Sequence, residues 1–522
     1  MKVLVAETIA EGGVERLRAE ATVDVKTDLT REQLLEIIEG YDALIVRSQT
    51  MADAELIDRG KNLKVIGRAG IGLDNVDVDA ATRHGIVVVN APQSNVLSAA
   101  EHAMALMLSQ ARNIPAANES VRAGKWERAR FEGVELHGKV LAILGLGRIG
   151  TLVAQRALAF GMRVVAYDPY VAKQRAGQMG VELVGTVEEA LRAADFVTIH
   201  LPKTAETAAL IGAAELALMK PTARIVNTSR GGIVDEAALA EAVSSGKLGG
   251  AALDVFENEP PGDSPLFAVE QIVLTPHLGA STEEAQSKAG EAIAEQVALA
   301  LRGELAPYAV NVEAGRELSD VVRAFLPLSE KLGRIFTALS GGHIHDVRFS
   351  YQGQIADHDT RVLTLSGLKG MFSAVVHEPV TFVNAPLMAA ERGIRFEEMK
   401  SAMSRDYVNL VEVSGADAAV AGTLVGVKNE ERLVRIFDFE VDFPPGPNMC
   451  FLRYDDRPGV IGAIGTILGG AGVNIADMRV GRQEKGGEAL MCLTVDQPID
   501  ADVLKELVEG SEAKDAKVVT LG

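Results

Sequence analysis

The chain has 522 residues, too many for one hydrophobic core, so its length predicts three or four domains. Its formal net charge of −20, with no basic stripe along the chain, argues against binding of nucleic acid. Two cysteines and no apolar run of about eighteen residues argue against a disulfide framework, a metal site and a membrane span, so a cytoplasmic protein without metal is expected.

Short apolar runs alternate with helical patterns through residues 1–97, which predicts a small α/β domain. Strands are predicted at Val3–Ala6, Ala43–Val46, Lys64–Gly67 and Ile86–Val89. Thr30 and Gln33 have the spacing of a capping box, so a helix is expected to begin after Thr30.

Residues 98–282 are predicted to form a second domain. Ser98 and Glu101 have capping-box spacing, which predicts the start of a long apolar helix that connects the two domains. Six strand-like runs separated by helical stretches then predict a parallel, doubly wound sheet. The runs are Val140–Leu144, Arg163–Tyr167, Phe196–His200, Arg224–Thr228, Ala251–Val255 and Ile272–Thr275.

A further capping-box pattern at Ser281 and Glu284 predicts a helix that reaches about Leu301. Residues 312–443 contain a helical pattern near Leu318–Phe336 and a mainly strand-like remainder. They predict a third α/β domain, to which the sequence attaches no chemistry.

The proline-rich segment 443–447 can continue neither a helix nor a central strand, so it is predicted to be a linker. After it, residues 449–522 have the order strand, helix, strand, strand, helix, strand, with Pro458 expected in the first turn of the first helix. That order predicts a ferredoxin-like domain.

The string Gly145-Leu146-Gly147-Arg148-Ile149-Gly150 follows a predicted strand and opens a helical pattern. Glycines at this spacing permit a tight turn, close approach of a pyrophosphate and packing of helix against strand. Asp168 follows the next strand, where its carboxylate could accept hydrogen bonds from ribose hydroxyls and repel a 2′-phosphate. The pattern therefore predicts an NAD site.

Polar or ionisable residues also follow the other predicted strands of this domain. They are His200, Thr228, Ser229, Arg230, Asp254 and His277. Because ligands of open α/β sheets bind at the carboxyl ends of the strands, we expect these side chains to meet in one crevice beside the cofactor. His200 taken alone is equally compatible with a structural role.

Oxidation of a 2-hydroxy acid requires a base for the hydroxyl proton, a cation for the carboxylate and an acceptor for the hydride. His277 and Arg230 are suited to the first two tasks, since an arginine fork grips carboxylate and carbonyl oxygens. Glu259 is the candidate that orients the histidine and stabilises its charged form. These three residues are the predicted catalytic group.

The second domain contains strings that resemble the D-isomer-specific 2-hydroxyacid dehydrogenase family: Gly145–Gly150, Asn227–Asp235, Leu253–Phe256 and Pro276–Thr282. The resemblance covers residues 1–311 and implies D-stereospecificity and a dimer or tetramer. It implies that the Rossmann-type NAD domain, 98–282, is inserted in a split, flavodoxin-like substrate domain made of 1–97 and 283–311.

The catalytic residues that the resemblance implies are Arg230, Glu259 and His277. The cofactor contacts that it implies are Gly145, Gly147, Arg148, Ile149, Gly150, Asp168, His200, Thr228, Ser229, Asp254, Gly279 and Ala280.

Within that family the chain most resembles the members that oxidise 3-phosphoglycerate in the first step of L-serine biosynthesis. Val65–Asp77 resembles their substrate loop, Lys125–Arg128 their dimer-contact segment, and 449–522 their regulatory ACT domain. Residues 312–443 then correspond to a domain implicated in assembly and anion sensing. The substrate contacts implied are Arg47, Arg68, Gly70, Gly72 and Arg128.

The ACT resemblance further implies that L-serine binds across a subunit interface as an inhibitor, with Tyr454, Asp456 and Asn474 as its contacts. Two other functions stay open. One is the oxidation of another D-2-hydroxy acid, such as glycerate or lactate, and the other is an NAD(H)-sensing binding protein. The ACT-like tail disfavours the sensing protein because it suits metabolite feedback.

Overall fold

The computed structural model describes residues 1–312, 318–341, 344–376 and 380–521. The predicted α/β fold class is confirmed, since four sheets of five, seven, six and four strands follow one another along the chain. A few residues of the predicted third domain, 313–317, 342–343 and 377–379, lie outside the described residues. No helix of the described ranges is long and apolar enough to cross a membrane.

The first sheet is parallel and has five strands. Its elements are β1 (Lys2–Val5), α1 (Glu11–Arg18), β2 (Thr22–Val25), α2 (Arg31–Ile37), β3 (Ala43–Val46), α3 (Ala54–Arg59), β4 (Val65–Arg68), α4 (Val78–Arg83) and β5 (Val87–Asn90). The strand order β2-β1-β3-β4-β5 is flavodoxin-like. The capping box at Thr30 is present as predicted, and β4 ends on Arg68, one residue beyond the predicted strand.

The second sheet is parallel and has seven strands. Its elements are α5 (Val96–Ala111), α6 (Ile114–Arg122), β6 (Val140–Leu144), α7 (Arg148–Ala159), β7 (Arg163–Tyr167), α8 (Lys173–Gln178), β8 (Glu182–Leu183), α9 (Val187–Ala193), β9 (Phe196–Ile199), α10 (Ala213–Leu216), β10 (Arg224–Asn227), α11 (Glu236–Ser244), β11 (Gly250–Leu253) and β12 (Ile272–Leu274). The order β12-β11-β10-β9-β6-β7-β8 reverses direction beside β6, the point at which dinucleotides bind in such sheets. The two-residue edge strand β8 was not predicted.

Two helices connect the first and second sheets. Helix α5 packs Ala103, Met104 and Met107 into the core of the second sheet. Helix α12 (Glu283–Leu301) returns to the first sheet, where Ile293 and Val297 are fully buried against its strands. Loops of the two sheets face each other across a cleft, which Arg148 bridges to Pro92 and Arg230 bridges to Asp74.

Two predicted helix starts were wrong. Helix α5 begins at Val96 rather than after Ser98, whose hydroxyl instead donates a hydrogen bond to the carbonyl of Asn95. Helix α12 begins after Thr282, not Ser281, because the Thr282 hydroxyl accepts the hydrogen bond from Ala285 N–H.

The third domain has a six-stranded sheet with helices on it. Its elements are α13 (Asp320–Ser340), β13 (Asp346–Gly353), α14 (Arg361–Ser373), α15 (Ala385–Glu391), β14 (Arg395–Ser401), β15 (Asn409–Ser414), β16 (Ala419–Val425), β17 (Glu430–Ile436) and β18 (Phe439–Phe443). Helices α14 and α15 correct the prediction of a mainly strand-like remainder. Gly333 of α13 lies against the backbone of Gly367 in α14, so the two helices cross closely where any Cβ would clash.

The fourth domain has the predicted ferredoxin-like order. Its elements are β19 (Asn448–Asp455), α16 (Val460–Gly470), β20 (Ile475–Arg482), β21 (Glu488–Val495), α17 (Ala501–Ser511) and β22 (Asp515–Thr520). The sheet is antiparallel, in the order β20-β21-β19-β22. Pro458 does not lie in the first turn as predicted, because Gly459 adopts a φ of 98° and helix α16 begins only at Val460.

Candidate active site

The glycine loop after β6 is shaped for close approach of a ligand. Gly145 has a φ of 95°, and a Cβ there would press on the carbonyl of His200, while a Cβ at Gly150 would overlap the carbonyl of Gly145. Gly147 forms the N-cap of α7 and has open space around its Cβ position. The free N–H groups at the start of α7 therefore face a gap that suits a pyrophosphate.

Asp168, at the end of β7, ties this loop to the sheet. Its carboxylate accepts hydrogen bonds from Leu146 N–H at 2.8 Å and from Tyr170 N–H at 2.9 Å. On the same loop, Arg148 donates to the carbonyl of Pro92 at 3.4 Å across the cleft, and Ile149 packs partly into the core below. The predicted cofactor residues of this edge are thus brought together.

The ends of β9 and β10 supply the next group of predicted cofactor residues. His200 is enclosed beside Thr198, with 3.0 Å between Nε2 and Oγ1, and burial lowers its pKa to about 4, so the ring is neutral. Ser229 bonds to the side chain of Asn227. The buried hydroxyl of Thr228 finds no partner in the described part of the chain, which is the state expected of a group that meets a ligand.

His277 and Glu259 form one hydrogen-bonded pair, with 2.6 Å between Nδ1 and Oε2. The other carboxylate oxygen of Glu259 accepts a hydrogen bond from Phe256 N–H at 3.0 Å. The hydrogen bond that His277 donates to Glu259 raises the pKa of the histidine, against the opposing effect of burial. Burial alone would raise the pKa of Glu259, but its bonds to His277 and Phe256 hold it below the ordinary value.

Asp254 anchors the loop that carries His277. Its carboxylate is fully buried and accepts hydrogen bonds from Leu278 N–H at 2.7 Å and Gly279 N–H at 2.8 Å, while Ala280 follows directly. His102 of α5 lies 3.1 Å from the same carboxylate, and Thr275 donates to it at 2.6 Å. Sequence reasoning missed His102, which belongs to no recognisable motif and whose partner Asp254 follows much later in the chain.

Arg230, after β10, reaches across the cleft to the loop that follows β4. Its Nε lies 3.4 Å from a carboxylate oxygen of Asp74, and its Nη1 donates to the carbonyl of Ser229 at 2.7 Å. The guanidinium also lies against Gly72, where a Cβ would clash with it. Loops of the first and second sheets therefore contribute to one site, with Arg230 on the side of the second sheet.

Arg68 is largely buried at the end of β4. Burial is the main effect that lowers its pKa to about 10, and the nearby positive charges of Arg230 and Arg47 lower it further. Its guanidinium occupies the space where a Cβ of Gly70 would lie, so a side chain is excluded there. Arg47 donates to the carbonyl of Thr8 at 3.3 Å. Arg68 thus lies close enough to both Arg47 and Arg230 to be repelled by each of them.

Arg128 is not brought to this cluster within the chain. It lies in a short 3-10 turn, Arg128–Phe131, on an exposed segment, and nearby Trp126 is 79% exposed. No hydrogen bond or ion pair links Arg128 to the cleft among the residues that the structure describes. No group of residues that could hold a metal ion occurs in the same ranges.

The predicted effector residues lie apart in the fourth domain. Asp456 pairs with Arg482 at 3.2 Å and accepts a hydrogen bond from Gly486 N–H, while Asn474 donates to Asp496 at 2.7 Å. The side chain of Tyr454 is 3% exposed and packs in the domain core. Within one chain, therefore, these residues do not form a single pocket.

Three family models match successive parts of the chain. The D-isomer specific 2-hydroxyacid dehydrogenase NAD binding domain matches residues 104–279, the D-3-phosphoglycerate dehydrogenase intervening domain matches 321–437, and the ACT domain matches 449–509. Among solved structures, the TT0316 protein from Thermus thermophilus has a TM-score of 0.56 and 37% identity, over 59% of this chain and 100% of its own.

Two curated relatives match over nearly the whole length. The D-3-phosphoglycerate dehydrogenase of Methanocaldococcus jannaschii is 43% identical over 524 residues, covering 100% of both chains. That of Mycobacterium tuberculosis is 47% identical, and the match covers 99% of each chain. These matches extend over nearly the whole chain, and the glycine loop, the histidine–glutamate pair and the ACT domain are all present, so the chain belongs to the D-3-phosphoglycerate dehydrogenase family of D-isomer-specific 2-hydroxyacid dehydrogenases.

Proposed function

We propose that this chain oxidises 3-phospho-D-glycerate to 3-phosphohydroxypyruvate with NAD, as the first step of L-serine biosynthesis. The observation that carries the proposal is the cleft in which the His277–Glu259 pair and Arg230 meet the arginines of the first sheet, Arg47 and Arg68. Arg68, which is repelled by both Arg47 and Arg230, favours a polyanionic ligand, and this substrate carries both a carboxylate and a phosphate.

The His277–Glu259 pair determines how the side chains of the protein take part in the reaction. Neutral His277, with its Nδ1–H donated to Glu259, presents the lone pair of Nε2 to the C2 hydroxyl and takes its proton. Glu259 stabilises the imidazolium that forms, and Arg230 holds the substrate carboxylate. When bound, NAD supplies the nicotinamide ring that accepts the hydride from C2.

We assign NAD to the carboxyl edge of the second sheet. The open N-terminus of α7 suits the pyrophosphate, Asp168 the ribose, and the unpaired hydroxyl of Thr228 a polar group of the nicotinamide half. The remaining assigned contacts are Gly145, Gly147, Arg148, Ile149, Gly150, His200, Ser229, Asp254, Gly279 and Ala280.

A direct assay tests the proposed reaction. We expect NADH to form from NAD and 3-phosphoglycerate with a kcat/KM at least ten times that for D-glycerate or D-lactate, because only the phosphorylated acid engages every arginine of the cleft. Higher efficiency with an unphosphorylated acid would assign the chain to that substrate instead. Lack of turnover with all three acids would favour an NAD(H)-sensing protein.

The fourth domain supports a proposal of feedback by L-serine. The carboxylate of Asp456 suits the ammonium of serine, and the amide of Asn474 suits its polar groups. Because the two residues lie apart in one chain, the site requires a second subunit, and serine would have to displace Arg482 from Asp456. The buried side chain of Tyr454 is therefore left out of the proposed contacts.

We expect L-serine to inhibit the enzyme, and Asp456→Ala or Asn474→Ala to raise its half-inhibitory concentration by at least tenfold while uninhibited activity persists. Inhibition requires serine to bind one arrangement of the domains better than another. Asp496→Ala, which removes the partner of Asn474 but no proposed contact, is the control. Absence of calorimetric L-serine binding to the intact oligomer would contradict the regulatory assignment.

A homo-oligomer, dimer or tetramer, follows from the same proposal. Arg128 would complete the substrate site only from a neighbouring subunit, and the exposed Trp126 segment is the candidate contact.

The two cysteines, Cys450 and Cys492, are buried and unpaired. Reduced thiols suit the cytoplasm, which is where we place the enzyme.

A further inference from the structure

Glu7, two residues after β1, lies beneath the loop that follows β3. Residues 47–50 of that loop direct four consecutive backbone N–H groups at its carboxylate, at donor–acceptor distances of 2.8–3.2 Å. The residue is only 9% exposed. Successive N–H groups that converge in this way form a nest that binds anions, and here the anion is a side chain of the same domain.

A second buried side chain holds the same loop from the opposite flank. Asn75, which is 7% exposed, donates through Nδ2 to the carbonyls of Arg47 at 3.0 Å and Thr50 at 2.6 Å. Its own carbonyl accepts a hydrogen bond from Ala52 N–H at 2.8 Å. The N–H groups of the loop are therefore fixed by Glu7, and two of its carbonyls by Asn75.

The charge of Glu7 also acts on the arginines of the cleft. Burial would raise the pKa of Glu7, but the backbone hydrogen bonds from Thr50 and Arg47 hold it below its ordinary value, so the carboxylate is ionised. Its negative charge favours the charged form of Arg68, while the positive charge of Arg47 opposes it. Glu7 thus offsets part of the repulsion between Arg47 and Arg68.

We propose that Glu7, supported by Asn75, is a positioning residue that sets the affinity for the phosphate of the substrate. Because Glu7 fills the nest of residues 47–50, those N–H groups cannot bind the phosphate, and the loop recognises it through the side chain of Arg47. Glu7 fixes the backbone from which Arg47 extends. This inference rests on the proposed function, in which Arg47 contacts the phosphorylated substrate.

Glu7→Gln tests the proposal in the full-length enzyme. The glutamine amide keeps the shape of the side chain but turns one acceptor into a donor that faces other donors. We expect KM for 3-phosphoglycerate to rise about 10- to 100-fold, the usual worth of hydrogen bonds to a charged group. We expect kcat to stay within threefold and KM for NAD to be unchanged, a split that a general folding defect would not produce.

Asp42→Asn is the matched control. Asp42 precedes β3, at the opposite end of the strand from Arg47, and it accepts hydrogen bonds from the backbone of Lys2 at 2.8 Å and from Lys64 at 2.9 Å. Replacement of Asp42 removes a hydrogen-bonded carboxylate from the same sheet but no contact of the loop formed by residues 47–50. The variant should keep the KM for 3-phosphoglycerate within twofold of wild type.

Glu7→Asp provides a second measurement if Glu7→Gln fails to fold. It keeps the charge but shortens the reach by one methylene, so KM should rise at least threefold, less than in Glu7→Gln. An unchanged KM in whichever variant folds, with wild type active on 3-phosphoglycerate, overturns the inference and leaves the proposed function intact. A wild-type enzyme inactive on 3-phosphoglycerate overturns both.

Discussion

Replacement of His277 with alanine is expected to lower kcat for 3-phosphoglycerate oxidation by about two to four orders of magnitude, the usual contribution of a positioned acid–base group. The imidazole of His277 combines the ordinary titration range of histidine, near neutrality, with a hydrogen-bonded carboxylate partner that raises its pKa. Steady-state kinetics at saturating NAD and substrate measure the loss. KM for NAD should change little, because His277 removes a proton and does not hold the cofactor.

His84→Ala is the control for His277→Ala. His84 also pairs with a carboxylate, at 2.7 Å between Nε2 and Asp58 Oδ1, but it lies at the end of α4 on an exposed surface. Loss of this exposed histidine–carboxylate pair should leave kcat within twofold of wild type. Turnover of His277→Ala within threefold of wild type would exclude His277 as the base.

The residues at the ends of the parallel strands could be predicted because the signal is local. The strand Arg224–Asn227 is followed directly by Thr228, Ser229 and Arg230, and parallel strands carry their ends to the same edge. Contacts between distant segments could not be predicted in this way. Glu7 contacts a loop that follows some 40 residues later in the sequence, and His102 contacts Asp254 about 150 residues later. Neither Glu7 nor His102 belongs to a recognisable motif.

Local patterns also failed where more than one structure satisfies them. Ser98 and Glu101 fit a capping box, yet serine and glutamate are tolerated inside a helix, and α5 already begins at Val96. Helix α14 was missed for another reason. Residues 362–368 are buried without interruption, so the segment lacks the polar face that marks a helix by its period.

Glu259→Gln is expected to lower kcat by about two to four orders of magnitude and to move the pH profile. The carboxylate accepts the Nδ1–H of His277 and so leaves Nε2 free as the base. The amide of glutamine can instead donate to Nδ1, which puts the proton on Nε2 and makes that atom useless as a base. Loss of the equivalent carboxylate in a serine-protease triad lowers kcat by about 10⁴ for this reason.

The pH dependence separates this role from a general loss of negative charge. Oxidation needs neutral His277, so kcat/KM should rise with pH through the pKa of that residue, which the bond to Glu259 raises above its ordinary 6.5. In Glu259→Gln that bond is lost, so the rising limb should move to lower pH, towards or below 6.5. Glu257 is an exposed carboxylate on the same loop, so Glu257→Gln should leave both kcat and the rising limb of the pH profile unchanged. If Glu259→Gln keeps the wild-type limb, the pKa of His277 is not governed by Glu259.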